Sequence, residues 1–166
     1  MRLNLCSGQR PFGAGWTNLD SQVKWQPDIV ADASKLDMIG DQMCEMVVIH
    51  HGLEHFKMTD VPKLLQECYR VLAPSGSLLI FIPDLKALAA KWLANEIDDY
   101  IFFVNCMGAY MGDEADLHRW HYTFASLSKA LNENGIWRSI RKFDWRAIEG
   151  ADIAKDYWIL GVEGIK

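Results

Sequence analysis

The chain has 166 residues, half of them apolar and 23% charged, with 17 Lys and Arg against 22 Asp and Glu for a net charge of −5. That length supports one domain with a sizeable core, and the acidic balance, broken only by the short basic run 137–146, argues against a surface that grips nucleic-acid phosphates. Cys6, Cys44, Cys68 and Cys106 form no CxxC pair, no apolar stretch reaches bilayer length and no leader precedes the first strand, so a reduced cytoplasmic protein, monomer or homodimer, is expected.

Residues 3–6 read as a short strand ending at Ser7 and Gly8, followed by a loop of turn formers over 9–15. Residues 16–19 read as a second strand closed by Asp20, and 28–31 as a third closed by Asp32. The β-branched run in 45–50 suits a fourth strand covered on both faces. Residues 59–72 carry the clearest helical stripe, Val61, Leu64, Leu65, Cys68, Tyr69 and Leu72, with Pro62 in the first turn and Pro74-Ser75-Gly76 as the stop. A buried strand over 77–82 ends at Pro83, and helices follow over 85–93 and 126–132. Strands over 139–143 and 157–162 complete the chain. Strands alternating with helices or short crossings predict a mostly parallel sheet with helices on its faces.

Ligands in such sheets sit beyond the carboxyl ends of the strands, near the reversal of strand order. Ser7, Asp20, Asp32 and His50 end the first four strands and would face one crevice. A glycine after the first strand lets a ligand approach the backbone. A carboxylate after the second can accept from a ribose diol, and one after the third from an adenine amino group. Neither GxGxxG nor a P-loop is present to hold phosphates. A phosphate-free adenosine ligand fits better, and S-adenosylmethionine is the common one. Asp20 also reads as a turn former, Asp32 as a helix cap and Cys6 as a small packing residue.

Leu3-Asn4-Leu5-Cys6-Ser7-Gly8, Gly15-Trp16-Thr17-Asn18-Leu19-Asp20, His51-Gly52-Leu53-Glu54-His55, Arg70-Val71-Leu72-Ala73-Pro74-Ser75-Gly76, Pro83-Asp84 and His118-Arg119-Trp120-His121-Tyr122 follow one another in order. This series resembles small class I S-adenosylmethionine-dependent methyltransferases, whose pattern runs L-N-L-G-C-G, G-W-x-N-x-D, H-x-L-E-H, R-V-L-x-P-x-G. The resemblance implies an α/β, Rossmann-like, three-layer α/β/α fold with a mostly parallel sheet and an antiparallel last strand. It implies one domain over 1–166, with 84–122 a helical insertion covering the active site. It places the methionine portion of S-adenosylmethionine at Leu5, Cys6, Ser7 and Gly8, the ribose at Asp20, the adenine near Asp32, Ala33 and Ser34, and the methionine end against Ile49 and His50. Cys6 stands where the family has its first loop glycine, and Ser7 where it has cysteine.

The implied reaction is methyl transfer to oxygen or nitrogen of a small-molecule or glycan acceptor. His51 is the first choice for a base and His118 the second, against the alternative that these histidines only orient the loop. The aromatic stretch 98–122 reads either as an acceptor pocket, with Gly108 and Gly112 allowing lid motion, or as a packed helix or dimer contact. H-x-x-E-H also matches a zinc-protease pattern, but Gly52 weakens a helix there and no third ligand is evident, so no metal is expected. The competing functions are a degenerate scaffold of the same fold, favoured by Cys6 and Ser7, and an NAD-type nucleotide enzyme.

Overall fold

The computed structural model describes residues 1–109, 113–148 and 158–166. Seven strands form one sheet: β1 (Arg2–Leu5), β2 (Trp16–Asp20), β3 (Ile29–Val30), β4 (Cys44–His50), β5 (Leu72–Pro83), β6 (Ser139–Lys142) and β7 (Ile159–Ile165). Their order is β3-β2-β1-β4-β5-β7-β6. β1 to β5 pair in parallel, and β7 runs antiparallel to both β5 and β6. The order reverses between β1 and β4, so the crevice predicted for such sheets opens there. The helices are α1 (Val61–Val71), α2 (Leu85–Leu93), α3 (Asp99–Met107) and α4 (Phe124–Glu133).

The period-2 alternation of the strands divides the core between two faces. Leu3, Leu5, Val47, Ile49, Leu78, Ile80 and Ile82 point to one face, where Leu64, Leu65 and Cys68 of α1 and Leu127 and Leu131 of α4 join them. Val48, Leu79 and Phe81 point to the other, joined by Phe12, with Trp16, Met46, Phe143 and Ile159 packed against them. Apart from Trp16, that second face is polar on β1 and β2. Asn4 Nδ2 donates to Asn18 Oδ1, which also accepts from the Phe12 amide, while Asn18 Nδ2 donates to the Phe12 carbonyl and to Asp28. This buried network fixes the loop over 9–15 across the strand ends, since unmade hydrogen bonds would be costly there.

Several boundaries differ from expectation for local reasons. β5 begins at Leu72 because Leu72 pairs with Cys44 before a bulge, and the chain then resumes pairing at Ser77 with Met46. Ser75 takes up the excursion at φ 65°. β3 is only two residues long, and Asp28 instead accepts the Asn18 amide at 2.7 Å. α4 starts two residues early because Thr123 and Ser126 form a capping box. Asp84 caps α2 by accepting from Lys86 and Ala87, which explains the aspartate after Pro83. β7 extends beyond 162 to Ile165, and Tyr157, where a strand was expected to begin, lies outside the described residues. Tyr110 and Gly112 lie outside them too. All four cysteines are free, and no helix among the described residues is long and apolar enough to cross a membrane.

Candidate functional site

Beyond the carboxyl ends of β1, β2 and β4 lies a cavity of about 450 Å³. Cys6, Gly8, Asp20, Asp32, Ala33 and His51 line it, joined by Gln9, Ser21, Gln22, Trp25, Gly52, His55, Phe56, Asp116 and Arg119. Leu5, Ser7, Ser34, Ile49 and His50 are buried and stand behind that lining. His118 lines a neighbouring, more open cleft instead, with Met58, Met107, Leu117 and Trp120.

The turn after β1 and the end of β2 are tied together by one carboxylate. Asp20 Oδ2 accepts the Gly8 amide at 2.9 Å and Oδ1 accepts the Gln22 amide at 2.8 Å. Each oxygen keeps a further lone pair for a ligand hydroxyl. The Ser7 amide donates to the Leu19 carbonyl, while Ser7 Oγ has no partner among the described residues. Asp32 Oδ1 accepts from the Ser34 amide and hydroxyl. Partial burial pushes the Asp32 carboxyl up, but these bonds and the Lys35 and Lys63 charges outweigh it and hold the group below its usual range.

Cys6 sits at φ 57°, the left-handed region in which a glycine would be unstrained and another residue costs roughly 1–2 kcal/mol. Its side chain packs against Gly52, where an added Cβ would lie 2.7 Å from Cys6 Cβ. Burial, then the Asp20, Glu54 and Asp32 charges, push the thiol up, so Cys6 is a packing residue and no ready nucleophile.

The H-x-L-E-H segment forms a sharp turn, with His51 at φ 46° and a single 3₁₀ turn over Leu53–His55. His51 and His55 therefore do not share a helix face. His51 Nδ1 lies 3.1 Å from Glu54 Oε1, and Glu54 is only 1% exposed. Burial pushes the Glu54 carboxyl up, yet the His51 hydrogen bond and the His51, His55 and His118 charges prevail and hold it below its usual range. The Glu54 carbonyl accepts the Arg119 and Trp120 amides, and the His118 amide donates to the Met107 carbonyl. These bonds bring a segment more than 60 residues away onto the H-x-L-E-H turn. Burial and then the His51 charge push His50 down to about 3, so it is a neutral wall residue.

Gln22, Trp25 and Phe56 belong to none of the motifs in the sequence, and Arg119 lies inside the 118–122 run without a signal that would aim it at the strand ends. Part of the aromatic insertion packs on itself: Trp92 of α2 stacks on Phe102 of α3 with centroids 4.5 Å apart.

Residues 15–80 match the model of a family described as a methyltransferase domain. No curated protein matches the chain. Among solved structures, a SAM-dependent methyltransferase from Archaeoglobus fulgidus superposes with a TM-score of 0.67 at 16% identity, over 99% of this chain and 85% of that one. A Methanosarcina mazei protein described likewise gives 0.58 at 18% identity, over 99% and 90%. One from Thermotoga maritima gives 0.60 at 12%, over 99% and 81%. At such identities the likeness is one of fold: the seven-stranded sheet with its antiparallel β7. The donor set of the cavity suits a nucleoside without phosphates, having the three carboxylates of Asp20, Asp32 and Asp116, the flat side chains Trp25 and Phe56, and, among the described residues, Arg119 as the one Lys or Arg of its lining.

Proposed function

We propose, from a domain match and a fold that support a methyltransferase and imply S-adenosylmethionine as cofactor, that the chain methylates an oxygen or nitrogen of a small-molecule or glycan acceptor with His51 as base. The observation that carries the reading is the His51–Glu54 pair, set on a cavity whose wall also holds Asp20 and Asp32. When bound, S-adenosylmethionine supplies an electrophilic methyl group on a sulfonium. Asp20 accepts from the ribose hydroxyls, Asp32 with Ala33 and Ser34 meets the adenine, and Cys6 and Gly8 border the methionine portion. Leu5, Ser7, Ile49 and His50 form the wall behind them and exclude water.

Glu54 holds His51 in the tautomer that carries its proton on Nδ1, leaving Nε2 to take the acceptor proton. The buried carboxylate then stabilises the imidazolium that results. Positioning supplies most of the rate and the base a smaller share. His118, in the adjoining cleft, is the poorer base because burial pushes it down. That cleft, with the half-exposed Trp120, suits the flat apolar face of a sugar or aromatic acceptor. The protein acts in the cytoplasm as a monomer or homodimer.

Calorimetry with S-adenosylhomocysteine, followed by an acceptor screen, tests the reading. One equivalent binds per chain, and NAD does not compete. His51→Ala and His51→Gln retain affinity within about twofold and lose about 100-fold in turnover. Unchanged turnover in both removes His51, and absence of nucleoside binding removes the whole reading in favour of a scaffold.

A further inference from the structure

Glu54, His55 and His118 each offer a ligand atom, and the three atoms lie within 4.8 Å of one another. The histidine rings meet edge to face with centroids 4.9 Å apart. We propose that these three residues form a binding site for a divalent first-row transition cation such as Zn²⁺, one carboxylate and two imidazoles at the joint between the two cavities.

Two independent features beyond proximity support the site. First, both histidines are held as metal ligands usually are. His55 Nδ1 lies 3.2 Å from the Leu117 carbonyl and His118 Nδ1 lies 2.9 Å from the Asn105 carbonyl. A carbonyl only accepts, so each Nδ1 carries the proton and each Nε2 keeps its lone pair, the arrangement that fixes tautomer and ring orientation in metal centres. Second, Glu54 is 1% exposed and its Oε2 has no hydrogen-bond partner among the described residues, while Oε1 is taken by His51. A buried carboxylate oxygen without a partner is costly, and a cation would satisfy it.

The donor set selects the ion class. Imidazole nitrogens suit zinc, cobalt, nickel or iron, whereas magnesium and calcium prefer sets built of oxygen. Three protein ligands leave coordination positions open, as catalytic centres require. His55 lines the cavity of Asp20 and Asp32, and His118 lines the adjoining cleft. An oxygen of an incoming acceptor could fill an open position. That last step rests on the methyl-transfer reading, while cation binding does not. The third ligand comes from position 118, which no spacing rule links to H-x-x-E-H, and His51, the first histidine of that motif, serves Glu54 instead.

The test is calorimetry with Zn²⁺ on tag-free protein without nucleoside, together with the visible spectrum of the Co²⁺-loaded protein. One ion binds per chain, the Co²⁺ bands are those of a site with nitrogen ligands, and the melting temperature rises with free Zn²⁺. His55→Ala and His118→Ala each weaken binding by about tenfold or more. His121→Ala, removing the neighbouring histidine whose Nε2 already contacts the Cys106 carbonyl, leaves it unchanged. Stoichiometry far below one, or equal affinity in His118→Ala, overturns the site. If His118→Ala fails to fold, a wild-type Co²⁺ spectrum indistinguishable from the aqueous ion overturns it equally. Zn²⁺ binding without nucleoside binding would sink the methyl-transfer reading and leave this one standing.

Discussion

The two ends of the cavity are built on different principles. At the Asp20 end every partner is close in sequence: Gly8 to Asp20, Asp20 to Gln22, Asp32 to Ser34, Asn18 to Phe12 and Asp28. At the histidine end the His51–Glu54 pair is local, but the bonds that position it are remote: Glu54 to Arg119 and Trp120, and His55 to Leu117. Short turns between neighbouring strands suffice to aim the first set. The second exists only once the segment after α3 has packed against the turn after β4. Gly52 stands between them, against Cys6 on one side and beside His51 on the other.

The largest expected effect separates the two ends. Asp20→Ala removes two charge-assisted acceptors for the ribose and weakens S-adenosylhomocysteine by about 100-fold, measured by calorimetry. Zn²⁺ affinity stays as in the parent, because Asp20 touches none of the three ligands. A parallel loss of both affinities would show that the ends are not independent.

Stability behind the Asp20 end depends on Arg70. Its guanidinium reaches Glu67 twice at 2.8 Å, the Leu36 and Ile39 carbonyls at 2.9 Å and Asp41 at 2.7 Å, pinning the loop that follows β3 to α1. Arg70→Met lowers the unfolding free energy by about 2–3 kcal/mol in urea titration, since charge-assisted bonds to Glu67 and Asp41 are lost and the Ile39 carbonyl loses its donor, while the Leu36 carbonyl keeps the Ile39 amide. Arg70→Lys recovers little, because a point charge cannot reproduce the planar fork. A loss under about half a kcal/mol would demote this clamp to surface decoration.

Gly52→Ala probes the seam between the ends. The added Cβ meets Cys6 and Ile49, costing about 1–3 kcal/mol. Cys6→Gly relieves the main collision and the left-handed strain together, so the double variant regains part of that loss. Strict additivity in the double-mutant cycle would show that the two residues do not meet.

The smallest effect is a pH slope. His50 titrates near 6.5 when unfolded and is pushed down to about 3 in the fold. Between those values the unfolded chain binds more protons, so stability is complete above about pH 6.5 and declines as pH falls toward 3. His50→Phe flattens that slope near pH 6 in urea titrations. An unaltered slope would mean that other groups carry the acid sensitivity.

The sequence by itself determined the sheet, its central strands, α2 and the crevice at the reversal of strand order, because the alternation of side chains and the punctuation by Gly, Pro and Asp are local signals. It marked Asp20 and Asp32 for the same reason: each lies at a strand end whose direction is fixed by its neighbours. Only the tertiary structure decided what H-x-L-E-H does. His51 meets Glu54 three residues on, within a single turn, whereas His55 meets His118 only because hydrogen bonds to Leu117, Arg119 and Trp120 form across loops too long for any sequence period to register. The bulged start of β5 at Leu72 and the Arg70 clamp escaped for that reason as well: both depend on which distant backbone arrives beside them.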